Sequence, residues 1–193
     1  MRLGMSLEKV IEREGVGALI VRNNSFLTVE EQRYNRRTQK IPGMRSIIYE
    51  TVDPGESVEQ ALRRSLGEEV NLNDFISSFS LTDVKLCEVQ ITPGIWLSAY
   101  LIQIDVPDDF VIKGSSEAED VANPAWDLIY DLLNEPIGSL RFRPGNREIL
   151  QSYMRYSQGL LLQPDIYFQP QNVIADEVFT RFHPRLNEEG KLH

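Results

Sequence analysis

The sequence predicts a mixed α/β (α+β) domain built on a mixed β-sheet and followed by a C-terminal extension. Three observations carry that expectation. Short runs rich in β-branched and aromatic residues recur between Val16 and Val106, punctuated by Asn, Pro and Gly turn signals. One stretch, Ser57 to Val70, instead repeats its apolar residues at spacings of three and four. A polar segment, Asp108 to Asn123, then divides the strand-like runs from a more helical remainder.

Taken in order, Val16 to Val21 and Phe26 to Val29 flank Asn23 and Asn24 and predict a β-hairpin. The polar stretch EEQRYNRRTQK sets Arg33, Arg36, Arg37 and Lys40 around Tyr34, ends at a Pro42-Gly43 turn signal, and is the one dense basic segment. Ser46 to Val52 predicts a further strand, stopped by Asp53, Pro54 and Gly55. The helix of Ser57 to Val70 gathers Val58, Ala61, Leu62 and Leu66 on one face, with Ser57 as N-cap. Asn71 is the expected C′ residue, because Asn tolerates the left-handed conformation that ends many helices.

Phe79 to Gln90 and Ile95 to Val106 predict an antiparallel pair about Thr92-Pro93-Gly94. Asp108 to Asn123 reads as a surface loop of the kind that carries function. Pro124 to Leu133 reads as a helix burying Trp126, Tyr130 and Leu133, and Asn146 to about Gln158 as a last helix. The domain is expected over residues 1–158, with residues 159–193 an extension packed on it.

With 193 residues, 41% of them hydrophobic, the chain can bury a single core, and no apolar run approaches the ~20 residues a bilayer span needs. Charges at Glu8, Lys9, Glu12, Arg13 and Glu14 fall where a signal peptide would be apolar, and Cys87 is the only cysteine. A cytoplasmic protein with no membrane partner is expected. Two histidines, His183 and His193, leave little for a His-based triad, so any metal would be held by oxygens. A net charge of −9 makes long nucleic acid a poor partner, whereas small phosphorylated ligands stay open because a divalent cation reverses the local sign. The sequence leaves the oligomeric state open, a homodimer included.

The most informative segment is GESVEQALRRSLGEEVNL, residues 55–72. At ~100° per residue, Glu68 and Glu69 lie one turn beyond Ser65, and Glu69 continues the apolar row of Val58, Leu62 and Leu66. A carboxylate on an otherwise buried stripe has to be solvated, paired or metal-bound, since an isolated buried charge is expensive. Magnesium meets that demand with few protein ligands and bridges to phosphate oxygens. The plainer reading of the same pair is a solvated helix face.

This segment resembles the Nudix box, the signature of hydrolases acting on a nucleoside diphosphate linked to another moiety. The family pattern runs Gly, five residues, Glu, seven residues, Arg-Glu, a large aliphatic, one residue, Glu-Glu, one residue, Gly, and an aliphatic. With Glu56 at the first Glu, the residues Arg64, Leu66, Glu68, Glu69 and Leu72 fall on their types without a gap. Three positions depart from it: Glu50 and Asn71 stand at the glycines, and Ser65 at the Glu after the Arg.

The resemblance implies a Nudix-like α/β/α sandwich over roughly residues 14–158 and Mg²⁺ or Mn²⁺ as cofactor. It implies Glu68, Glu69 and Glu56 at the metal, Glu69 and Glu119 in catalysis, and Arg64 and Ser65 at supporting positions. Glu117 and Asp120 are further candidates for the loop carboxylate. Arg33, Arg36 and Arg37 are the candidates for diphosphate contacts, their plainer reading being a solvated loop. The implied function is hydrolysis of a diphosphate linkage in a small nucleotide-derived substrate, weakened because Ser65 lacks the charge and basicity of Glu. The alternative is a catalytically inactive Nudix-like domain that binds a nucleotide or a protein partner. A third reading is an interaction protein that docks through Ile166, Tyr167, Phe168 and Val173.

Overall fold

The computed structural model describes residues 9–72, 75, 80–104, 111–114, 120–136 and 139–167. In chain order the elements are β1 (Arg13–Arg22), β2 (Ser25–Glu31), β3 (Arg45–Ser46), β4 (Ile48–Thr51), α1 (Val58–Glu68), β5 (Lys85–Thr92) and β6 (Ile95–Ile102). β7 (Val121–Leu128), α2 (Ile129–Asn134), α3 (Asn146–Ser157) and β8 (Asp165–Ile166) follow.

β1 and β2 form the expected hairpin, with Asn23 turning the chain at φ 55°. β4 pairs antiparallel with β1, and β6 runs parallel to β1 from Arg13 opposite Ile95 to Ile20 opposite Ile102, which makes the sheet mixed. The order is β3-β2-β1-β6-β5-β8, with β4 also on β1 and β7 on β2.

The alternation of β1 builds two cores. Val16, Ala18 and Ile20 meet Leu62 and Leu66 of α1, whereas Leu19 joins Ile149 and Leu150 of α3 on the opposite face. Helices therefore cover both faces, as in an α/β/α sandwich. Among the described residues no helix is long and apolar enough to cross a membrane.

α1 starts where expected. Ser57 Oγ accepts from Gln60 N at 3.2 Å, and Gln60 Oε1 accepts from Ser57 N at 2.8 Å, a reciprocal capping box. Ser57→Ala is expected to cost about 1 kcal/mol in a urea titration; an unchanged midpoint would show that the cap contributes nothing.

Two expectations about local structure need correction. Asn71 does not take the left-handed C′ role, since its φ is not positive; its Oδ1 accepts from Lys113 N at 2.8 Å and its N–H donates to Lys113 O at 3.2 Å. The side chain ties the helix exit to the segment before Gly114 instead of capping the helix. The helix expected from Pro124 begins only at Ile129, because Val121–Leu128 pairs with β2 along its length. β7 has no other strand partner among the described residues, and an open strand edge tolerates the missing N–H of Pro124. Trp126 thus sits in a strand under the Arg22 guanidinium, 4.3 Å from the ring centroid, while Tyr130 is exposed.

Candidate active site

The C-terminal end of α1 opens on a cavity of about 510 Å³, within the range of small-molecule sites. Its lining joins opposite charges. Glu50, Asp53, Glu68 and Glu69 contribute carboxylates, and Arg33, Lys40 and Arg143 contribute cations.

Arg64 organises the acidic wall. Its Nε and Nη2 donate to the two oxygens of Glu56 at 3.0 and 2.9 Å, and Nη2 also donates to Thr51 O at 2.9 Å, fastening α1 to β4. Its Nη1 lies 3.1 Å from Glu50 Oε2 and 3.7 Å from Glu68 Oε2. The Arg64 guanidinium, helped by the Asp53 N–H at 3.0 Å, holds the Glu56 carboxyl down at a pKa of about 2.

Because that value is depressed on folding, the stabilisation by Glu56 is complete above the ordinary carboxylate pKa of roughly 4.3 and is lost as pH falls toward about 2. The stability gap between wild type and Glu56→Gln, measured by denaturant titration, is therefore expected to close across that window. A gap constant from pH 6 to about 2 would contradict the assignment.

Glu69 follows α1 as its C-cap residue, its N–H donating to Ser65 O. The residue is only half-buried, yet its Oε2 is shut off from solvent and has no hydrogen-bond partner. Burial raises its pKa well above the carboxylate range, and the neighbouring charge of Glu31 adds to the rise, against the opposing effect of Lys40. A carboxylate so placed either keeps a proton or takes a cation.

Glu31 ends β2 at 1% exposure. Arg143 Nη1 donates to its Oε1 at 3.0 Å, and Lys40 Nζ stands 3.1 Å from its Oε2. Arg143 also donates from Nε and Nη2 to Thr38 O, at 3.1 and 2.9 Å, and its guanidinium lies 4.6 Å from the centre of the Tyr49 ring. One buried guanidinium therefore both neutralises Glu31 and pins the basic loop. That loop closes on itself through paired backbone bonds between Asn35 and Lys40.

The structure brings some of the expected residues together and leaves others apart. Glu68, Glu69 and Arg33 line the cavity, and Asp120 lines it too, paired with Arg33 at 2.7 Å. Glu56 stands behind the wall on Arg64. Arg36 and Arg37 are exposed and absent from the described lining; Arg37 pairs with Glu12 at 2.7 Å. Ser65 is buried, its Oγ donating to Leu62 O at 3.0 Å. Glu117 and Glu119 lie outside the described residues. Glu31 and Arg143 escaped the sequence reading, since a polar strand end and an Arg directly before a Pro144-Gly145 turn carry no periodic signal.

Among the described residues, no three Asp, Glu, His or Cys side chains are gathered closely enough to hold a metal ion as they stand. Mg²⁺ needs less, because it is commonly held by one or two carboxylates and keeps several waters. The oxygen-only donors Glu68 and Glu69, with a buried Oε2 lacking any partner, suit such an ion.

A family model described as NUDIX domain matches residues 12–153. The fold is similar to that of the MutT protein from Methanosarcina mazei Go1, with TM-score 0.54 and 16% identity over 79% of this chain and 99% of that chain. It is similar to the E. coli ORF135 protein, with TM-score 0.51 and 23% identity over 78% of this chain and 94% of that chain. It is also similar to the MutT NUDIX hydrolase from Burkholderia pseudomallei, with TM-score 0.50 and 22% identity over 72% of this chain and 96% of that chain. No curated protein matches the chain.

Proposed function

The chain belongs to the NUDIX family, and from that premise we propose that it hydrolyses a diphosphate linkage in a small nucleotide derivative, using Mg²⁺ or Mn²⁺ held by Glu68 and Glu69. The observation that carries this reading is the buried, partnerless Oε2 of Glu69 in a cavity that also presents cations. When bound, the divalent ion supplies Lewis-acid neutralisation of the diphosphate charge.

The chain's own residues do the rest. Arg33 would offer a guanidinium, and Lys40 a point charge, to the phosphate oxygens, while Arg143, committed to Glu31 and Thr38 O, holds the basic loop that carries both. Arg64 and Glu56 fix the helix end that carries Glu68 and Glu69. Water attacks phosphorus, the bridging P–O bond breaks, and a carboxylate accepts the water's proton. We assign that base to the acidic segment of Glu117, Glu119 and Asp120, with Glu119 as the candidate.

A second reading has its own observation. Ser65 presents no charge to the cavity, which suits a NUDIX domain that binds a nucleotide or a protein partner without cleaving. A panel of nucleoside diphosphate derivatives and triphosphates, incubated with Mg²⁺ or Mn²⁺, separates the two. A hydrolase gives metal-dependent products and loses ligand affinity in chelator. A silent binding module gives no product, and its affinity survives chelator.

A further inference from the structure

The cavity reaches both sides of the sheet. Leu19 of β1 belongs to the core under α3, and side chains two apart share a face, so Arg13 points to the α3 side. Glu50, two residues after Ile48 of the core under α1, points to the other. Tyr49 and Leu97, members of the α3-side core, line the cavity together with Arg13.

The cations of this cavity are unequal. Arg33 is paired with Asp120 at 2.7 Å, Lys40 with Glu31 at 3.1 Å, and Arg143 is spent on Glu31 and Thr38 O. Arg13 is exposed, and its guanidinium has no ion pair or hydrogen bond among the described residues. Asp53, a lining carboxylate at the end of β4, is 3.6 Å from Arg64 instead. Only the backbone of Arg13 is tied down, its N–H donating to Gly94 O at 3.1 Å.

The basic loop adds a second free donor. Asn35 Oδ1 accepts from Thr38 N at 3.1 Å, which fixes the amide and leaves Nδ2 as its unpaired end at the cavity. Two residues on, Arg37 Nη2 donates to Glu12 Oε2 at 2.7 Å and Thr92 Oγ1 donates to Arg37 O at 3.0 Å. The loop is thereby latched to the residue that precedes Arg13.

We propose that Arg13 and Asn35 form an anion subsite at the rim of the cavity, which takes a phosphate outside the scissile diphosphate, so that the substrate carries such an additional phosphate. This rests on the reading of the cavity as the site of a nucleotide derivative. Arg33 and Lys40 meet a phosphate only in competition with Asp120 and Glu31, whereas Arg13 gives up no protein partner. A substrate without the additional phosphate would leave its fork unused.

The test is isothermal titration calorimetry with Mg²⁺ on the full chain and on Arg13→Met, Arg13→Lys and Asn35→Asp, using two probe pairs that phosphorus NMR shows to stay intact. One pair, α,β-methylene ADP and α,β-methylene ATP, adds the phosphate to the chain; the other, AMP and adenosine 3′,5′-bisphosphate, adds it to the ribose. In wild type the added phosphate is expected to tighten binding roughly tenfold in one pair, as a hydrogen bond to a charged group does. Arg13→Met should cut that gain below about threefold with the shorter probe unaffected, and Arg13→Lys should restore part of it. Asn35→Asp keeps the acceptor for the Thr38 N–H but replaces the donor with a like charge, so it too should cut the gain. A gain that survives Arg13→Met, or no gain in either pair, would overturn the subsite. A full gain in Asn35→Asp would remove Asn35 from it. No binding of any probe would overturn the nucleotide reading and the proposal with it. An Arg13-dependent gain in a wild type that releases no product from any nucleotide derivative would overturn the hydrolase reading and leave the subsite standing.

Discussion

Glu69→Gln is expected to lower turnover by about 10³-fold, the ~4 kcal/mol that a well-placed cation contributes to a charged transition state. The substitution keeps the shape of the side chain and removes its charge. Because the cost of holding that charge next to Glu31 disappears, the melting temperature should hold or rise while activity falls. Steady-state kinetics beside a thermal melt separates the two effects. Activity within about threefold of wild type, a loss worth under 1 kcal/mol, would remove Glu69 from the chemistry.

Arg143→Met carries the largest expected effect on stability. It strips Glu31 of its 3.0 Å partner and removes both bonds to Thr38 O. Breaking a buried pair from one side costs about 3–5 kcal/mol, and Lys40, still 3.1 Å from Glu31, places the loss at the lower end. For a chain of this size the melting temperature should fall by about 10 °C. Adding Glu31→Gln should restore part of the loss, since no buried charge then lacks its partner. A fall under about 2 °C in Arg143→Met would mean that Lys40 alone satisfies Glu31.

Much of the scaffold was legible because local chemistry agrees with tertiary packing. α1 announces itself through the three-and-four spacing of Ala61, Leu62 and Leu66 and through Ser57 with Gln60 three residues on. The first hairpin needed only Asn23 between two apolar runs. β7 was hidden because Pro124 argues against a strand unless that strand lies at an edge, and pairing with β2, some hundred residues earlier, is invisible to a local pattern.

The candidate site divides in the same way. Glu56, Arg64, Glu68 and Glu69 occupy one contiguous stretch whose spacing could be read directly. Glu31 and Arg143 stand 112 residues apart, and each alone looks like an ordinary surface charge. Only the fold shows that both are buried and joined. Glu50 was visible as a departure from a pattern, while its shared cavity with Glu68 and Glu69 required the pairing of β4 with β1.

In the function we propose, water cleaves a diphosphate linkage in this cavity beside a cation held on the end of α1. Phosphorus NMR of the most responsive nucleotide derivative, incubated with Mg²⁺ and wild type or Glu69→Gln, tests it most directly. The diphosphate resonance should disappear with wild type and persist with Glu69→Gln. An intact diphosphate resonance with wild type, in samples where the nucleotide is bound, would contradict it.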